Sequence, residues 1–100
     1  MRRAAKVDRN HSEIVHALKS AGATVQDLSA VGGGCPDILV GFKGVNYALE
    51  IKDGKRPPSE KKLNERQVEW HGGWKGHVVK VETIEAAFAA IGITTRGVDI

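Results

Sequence analysis

The chain is expected to adopt an α/β fold, a mixed four-stranded sheet flanked by helices with an extra helix at the C-terminal end. Three observations predict this. Apolar Val45, Tyr47, Leu49 and Ile51 alternate with Asn46, Ala48, Glu50 and Lys52, and a period of two marks a strand with one buried face. Apolar stripes at helical spacing lie on either side, at Ile14, Leu18 and Ala21 and again at Ile84, Ala87, Phe88 and Ile91. Glycine and proline punctuate the boundaries between these signals.

The first helix starts at Arg9 or His11 and ends at Ala21, with Asp8 or Asn10 as cap and Gly22 placed to stop it. Residues 24–29 give a short strand. The segment Val31-Gly32-Gly33-Gly34-Cys35-Pro36 then breaks regular structure, because glycine resists both helix and strand and Pro36 biases Cys35 toward an extended shape. Ile38-Leu39-Val40 begins a second strand, Lys43-Gly44 turns the chain, and the alternating run forms the third. Asp53-Gly54-Lys55-Arg56-Pro57-Pro58 is a loop. Asn64 suits an N-cap, Gln67 follows three residues later as in a capping box, and Leu63 with Val68 would form a hydrophobic staple. The second helix therefore begins near Glu65, with Ser59 as an earlier starting turn. His77 to Val81 reads as a fourth strand, Thr83 caps a last helix to Ile91, and Gly92 closes it. The order α-β-β-β-α-β-α, one hairpin plus helical crossovers, implies a mixed sheet with helices packed on it.

One hundred residues suit a single domain over 1–100, with a core at about 9–92 between a basic arm, Met1-Arg2-Arg3-Ala4-Ala5-Lys6, and a loosely held tail from Ile93 to Ile100. An apolar share of 41% with 27% charged residues is ordinary for a soluble globular protein, and a net charge of +3 tilts modestly toward an anionic partner. Cys35 is the only cysteine, so no internal disulfide forms and a reducing, cytoplasmic setting is expected. It reads as a small packed thiol rather than a nucleophile. No apolar stretch approaches the ~18 residues that span a bilayer, and the glycine run lacks the lysine and helix context of a nucleotide-binding P-loop. The four histidines, His11, His16, His71 and His77, show no zinc-ligand spacing.

The chemistry concentrates at the hairpin. Glu50 and Lys52 project together beside the small Ala48, and pairing of the two strands brings Asp37 alongside Glu50. Two carboxylates supply hard oxygen ligands for Mg²⁺ or Mn²⁺, and the backbone carbonyl of Ile51 adds a further donor. Lys52 is placed to orient or help deprotonate an attacking water, or to offset charge in a phosphoryl transition state. A lone Glu-x-Lys is commonplace; the Pro-Asp, the hairpin and the alternation give it weight.

Gly34-Cys35-Pro36-Asp37, then Leu49-Glu50-Ile51-Lys52, then Leu63 through Gln67 to Trp70 resemble the VRR-NUC domain of the PD-(D/E)XK nuclease superfamily, from about Glu13 to Ile91. The resemblance implies a restriction-endonuclease-like αβββαβ core and a metal-dependent DNA endonuclease. Asp37 and Glu50 would bind the metal, Lys52 would be the catalytic lysine, Glu13 would reach the metal directly or through water, and Gln67 would support the site near Lys52. Stand-alone domains of this kind are of phage or bacterial type, and the family includes nucleases acting on branched DNA such as Holliday junctions. Symmetric cleavage of a four-way junction implies a homodimer, with Trp70, Trp74 or the last helix as interface. Trp70 and Trp74 read as core or interface before base-stacking platform.

Lys55, Arg56, Lys61 and Lys62 concentrate on the loop leaving Lys52 and are expected to clamp DNA phosphates. The glycine run is expected to form a thin rim that lets the DNA backbone approach Asp37. The rival reading is a catalytically silent nucleic-acid-binding module with the same fold.

Overall fold

A computed structural model of the protein describes residues 9–94. The basic arm, the Asp8 cap and most of the expected tail lie outside the described residues. The elements run α1 (His11–Ser20), β1 (Thr24–Asp27), β2 (Ile38–Phe42), β3 (Val45–Ile51), α2 (Pro58–Lys61), α3 (Glu65–Gly73), β4 (Val78–Val81) and α4 (Ile84–Ala90). The strands lie side by side in chain order. β1, β2 and β3 are antiparallel, and β4 joins β3 in parallel after the crossover through α2 and α3. The expected mixed four-stranded sheet and C-terminal helix are therefore present. The single turn of α2 occupies the place where Ser59 suggested an earlier start.

The β2–β3 hairpin closes at Lys43 (φ 51°) and Gly44 (φ 81°), between the paired Phe42 and Val45. Two consecutive left-handed residues give the turn whose twist matches that of the flanking strands. Along β3 the alternation sends Leu49 and Ile51 to one face, where they pack with Ile38, Val40 and Val81. Ile14 and Leu18 of α1 and Ala87 of α4, with Ile91 just beyond it, cover that face and complete the core. Burying each of these larger aliphatic side chains contributes about 1.5–3 kcal/mol.

The starts of α3 and α4 follow their capping chemistry, and that of α1 does not. Asn64 accepts from the Gln67 N–H at 2.9 Å, and the Gln67 side chain accepts from the Asn64 N–H at 2.9 Å, so the capping box is complete. Thr83 Oγ1 accepts from the Ala86 N–H at 3.0 Å. Val68, expected to staple against Leu63, is exposed. Asn10 occupies the N-cap of α1, yet its side chain makes no capping bond. Its amide instead donates to the carbonyls of Lys52 (3.1 Å) and Glu82 (3.0 Å), which ties together the segments leaving β3 and β4. Those two carbonyls lie past the ends of paired strands, where the ladder no longer supplies donors.

Candidate active site

Asp37 stands one residue before β2, and the last ladder pair of the hairpin is Ile38 with Leu49. The next rung brings Asp37 opposite Glu50. Its backbone N–H donates to the Leu49 carbonyl at 3.1 Å, and its Oδ2 accepts from the Ile51 N–H at 2.7 Å. One carboxylate oxygen thus takes the place of a ladder carbonyl and fixes the side chain at the hairpin's open end.

Glu50 and Lys52 share that face of the sheet, which is covered rather than solvated. Glu50 is 3% exposed, and the Lys52 side chain is 14% exposed. Gln67 of α3 reaches down between them. Its Nε2 donates to Glu50 Oε2 at 3.0 Å, and its Oε1 accepts from Lys52 Nζ at 3.1 Å. The ammonium lies 3.9 Å from Glu50 Oε2. Lys80, paired with Glu50 across the β3–β4 ladder, turns away to the Lys61 carbonyl and the Glu82 carboxylate.

The glycine run holds α3 over this face. A Cβ on Gly34 would come within 2.3 Å of the Arg66 carbonyl oxygen, and its φ of +89° is left-handed. Only glycine permits that approach. The run therefore serves as a seat for the start of α3 as well as an opening beside Asp37, because Gly32 and Gly33 face open space.

Two side chains that sequence reasoning left outside the site adjoin it. Burial, then the charges of Glu50 and Asp37, push the Cys35 thiol above its usual range. The shift favours the thiol over the nucleophilic thiolate at this half-buried position. His71 follows Gln67 by one helical turn. Burial, with Lys52 nearby, holds its pKa below the usual imidazole value, and its Nε2 is buried with no hydrogen-bond partner among the described residues. Helical spacing from Gln67 was the available signal for His71, and strand spacing from Asp37 was the signal for Cys35.

Glu13 is placed elsewhere. It is exposed on α1 and lines a cavity of about 840 Å³ with Arg9, Asn10, Asp53 and Glu82. Among the described residues no three His, Cys, Asp or Glu side chains converge as a metal-ligand group. The structure therefore brings together Asp37, Glu50, Lys52 and Gln67, with the Ile51 backbone between them, and leaves Glu13 apart. The helical period explains this: Ile14 and Leu18 point into the core, which turns Glu13 toward the cavity beside Asp53 and Glu82, past the ends of β3 and β4.

The basic loop divides. Arg56 is 3.8 Å from Asp53 and 3.0 Å from Glu60, while Lys61 donates to the Gly54 carbonyl at 3.2 Å and lies 3.5 Å from Glu82. These two brace the loop. Lys55 and Lys62 are exposed, and their side chains make no contact of this kind among the described residues. Asp53, unremarked in the sequence, anchors the segment. It is 3% exposed, accepts from the Lys55 N–H at 3.0 Å and pairs with Arg9 at 2.9 Å. The Lys55 N–H, with the nearby Arg9 and Arg56, holds its carboxyl below the usual carboxylate range.

No protein-family model matches the sequence, and neither does any curated protein. A solved structure described as a VRR_NUC domain does match, with a TM-score of 0.62 and 25% identity over 83% of this chain and 90% of that one. The fold is that of a VRR-NUC domain. Within that VRR-NUC fold, Asp37 and Glu50 stand on adjacent β-segments beneath the helix that carries Gln67. Among the described residues no helix is long and apolar enough to cross a membrane.

Proposed function

We propose that this VRR-NUC-type domain is a divalent-metal-dependent deoxyribonuclease, with Mg²⁺ or Mn²⁺ as cofactor and branched DNA, a flap or a four-way junction, as its preferred substrate. One observation carries the reading: Asp37 and Glu50 face each other at the open end of a hairpin, and a single amide ties Glu50 to Lys52. The donor set fits the metal. Asp37, Glu50 and the Ile51 carbonyl offer hard oxygens, and Mg²⁺ takes few protein carboxylates because it retains waters. When bound, the ion supplies charge neutralisation at the phosphate and a more acidic bound water.

The chain's own groups supply the rest. Lys52 sets its ammonium 3.9 Å from Glu50 and is positioned to orient the nucleophilic water and to offset charge on the phosphate oxygens. Gln67 holds the ammonium and the carboxylate in fixed relation, so neither must reorganise when substrate arrives. Burial of Glu50 keeps bulk water from screening the pair. Lys55 and Lys62 are the exposed cations for the DNA backbone, beside a loop braced by Arg56 and Lys61. Among the described residues no element has the form of a recognition helix, which favours selection by DNA shape over base sequence. A homodimer would supply the two centres that symmetric junction cleavage requires.

The test is a digestion panel of linear duplex, single strand, flap, splayed arm and four-way junction, each with Mg²⁺, Mn²⁺ or chelator. Metal-dependent cutting that favours the branched substrates is expected. Binding with every strand left intact under all conditions would instead establish the silent binding module.

A further inference from the structure

We propose that the stacked Trp70–Trp74 pair is a platform for one unpaired nucleobase beside the scissile phosphate, an inference that rests on the nuclease reading above. The two indoles stack at 4.5 Å between centroids and 16° between planes. Neither belongs to the hydrophobic core or packs against it as a partly buried member, and Trp74 is 51% exposed. The sequence had suggested core or interface for this pair, and the core is now excluded.

Position gives the pair its meaning. Gln67, Trp70, His71 and Trp74 recur at the spacing of one helix face. The Gln67 end of that face touches Glu50 and Lys52, and His71 one turn on senses the Lys52 charge. Trp74 then lies roughly 10 Å along the axis from Gln67, within reach of a short single strand that passes the carboxylates. A strand running from the carboxylates along α3 reaches the exposed indole.

The ring is already held for a ligand. Trp70 covers one face, the Trp74 backbone N–H donates to the Trp70 carbonyl at 3.1 Å and fixes the chain there, and the chain turns past the indole edge at Gly76, where a Cβ would come within 2.9 Å of Nε1. The ring face turned away from Trp70 is what a base can cover. Lys75, exposed next in the chain, adds a cation for the phosphate. Stacking on an aromatic ring accepts any base, but only one that is not already sandwiched in a duplex. Flaps, splayed arms and junctions offer such a base, and continuous duplex does not.

The experiment measures binding in chelator by anisotropy of labelled DNA and by tryptophan emission, for the full chain and its Trp74→Ala and Trp74→Phe variants. The probes are an oligothymidylate, a blunt duplex and a flap, with circular dichroism as a check on folding. Emission should fall on adding oligothymidylate or flap and stay level with blunt duplex. Trp74→Ala should weaken oligothymidylate and flap binding about 5–150-fold and leave duplex affinity unchanged, while Trp74→Phe retains most of the affinity. Equal loss on all three DNAs, or no loss on any, overturns the platform. So does tryptophan emission that changes with protein concentration alone in step with sedimentation, since the surface would then meet a second copy of this chain. Cleavage of any substrate by the unmodified protein in Mg²⁺ is scored separately. Cutting without base-stacking selectivity sinks the platform alone, and selectivity without cutting sinks the nuclease reading alone.

Discussion

Gln67 uses both ends of one amide. Its Oε1 receives the Lys52 ammonium and the Asn64 N–H, and its Nε2 donates to Glu50. The same residue therefore closes a helix cap and orients two charged groups, a combination that fixes the carboxamide's orientation because a flipped amide would face Glu50 with oxygen and Lys52 with a donor. Such supporting hydrogen bonds are worth about 10–100-fold in activity at metal sites. Gln67→Glu should lower the single-turnover cleavage rate by about that factor, because it removes the donor to Glu50 and sets a second carboxylate beside it. Circular dichroism should show the helix intact, since Glu also completes a capping box. A rate unchanged from the parent would remove Gln67 from the positioning role.

At the scale of elements, α3 and the glycine run define the site together. Gly34 is the contact point, and its backbone meets that of Arg66 with no room for a side chain. Gly34→Ala should cost about 1–3 kcal/mol from the left-handed backbone alone, read as a lower urea midpoint, and should reduce cleavage because α3 must lift with Gln67. A midpoint equal to the parent's would show that the loop yields without strain. Much of this arrangement was legible in the sequence. Strict alternation fixed which side chains of β3 share a face, and the Asn64–Gln67 spacing placed the start of α3. Three features were not legible. That Glu50 is buried depends on tertiary contacts such as Gln67 reaching it from α3, which strand periodicity alone leaves open. Asn10 looked like a helix cap by residue type, but free carbonyls beyond β3 and β4 compete for its amide. Glu13 was assigned by family resemblance, whereas the phase of Ile14 and Leu18 carries it to the cavity lined by Asp53 and Glu82.

Across the whole molecule, charge and burial set how the fold responds to acid. His71 has a folded pKa below its ordinary value of 6.5, so its contribution is complete above that pH and declines as pH falls toward the folded value. Asp53 has a folded pKa below 3.8; its contribution is present above 3.8 and is lost as pH falls through the lower, folded value. Thermal midpoints should therefore drop in two stages on acidification, the first missing in His71→Phe and the second in Asp53→Asn. A parent profile flat from pH 7 to 5 would contradict the His71 assignment. The proposed function requires that Asp37 and Glu50, set opposite each other at the end of the β2–β3 hairpin, hold a cation beside the Lys52 ammonium. Mn²⁺ titration followed by electron paramagnetic resonance, paired with junction cleavage, tests that claim most directly. Asp37→Asn and Glu50→Gln should each weaken Mn²⁺ binding about tenfold or more, while Lys52→Ala should still bind Mn²⁺ and lose cleavage. Carboxylate variants that bind Mn²⁺ as tightly as the parent, or a Lys52→Ala protein that cuts at the parental rate, would contradict it.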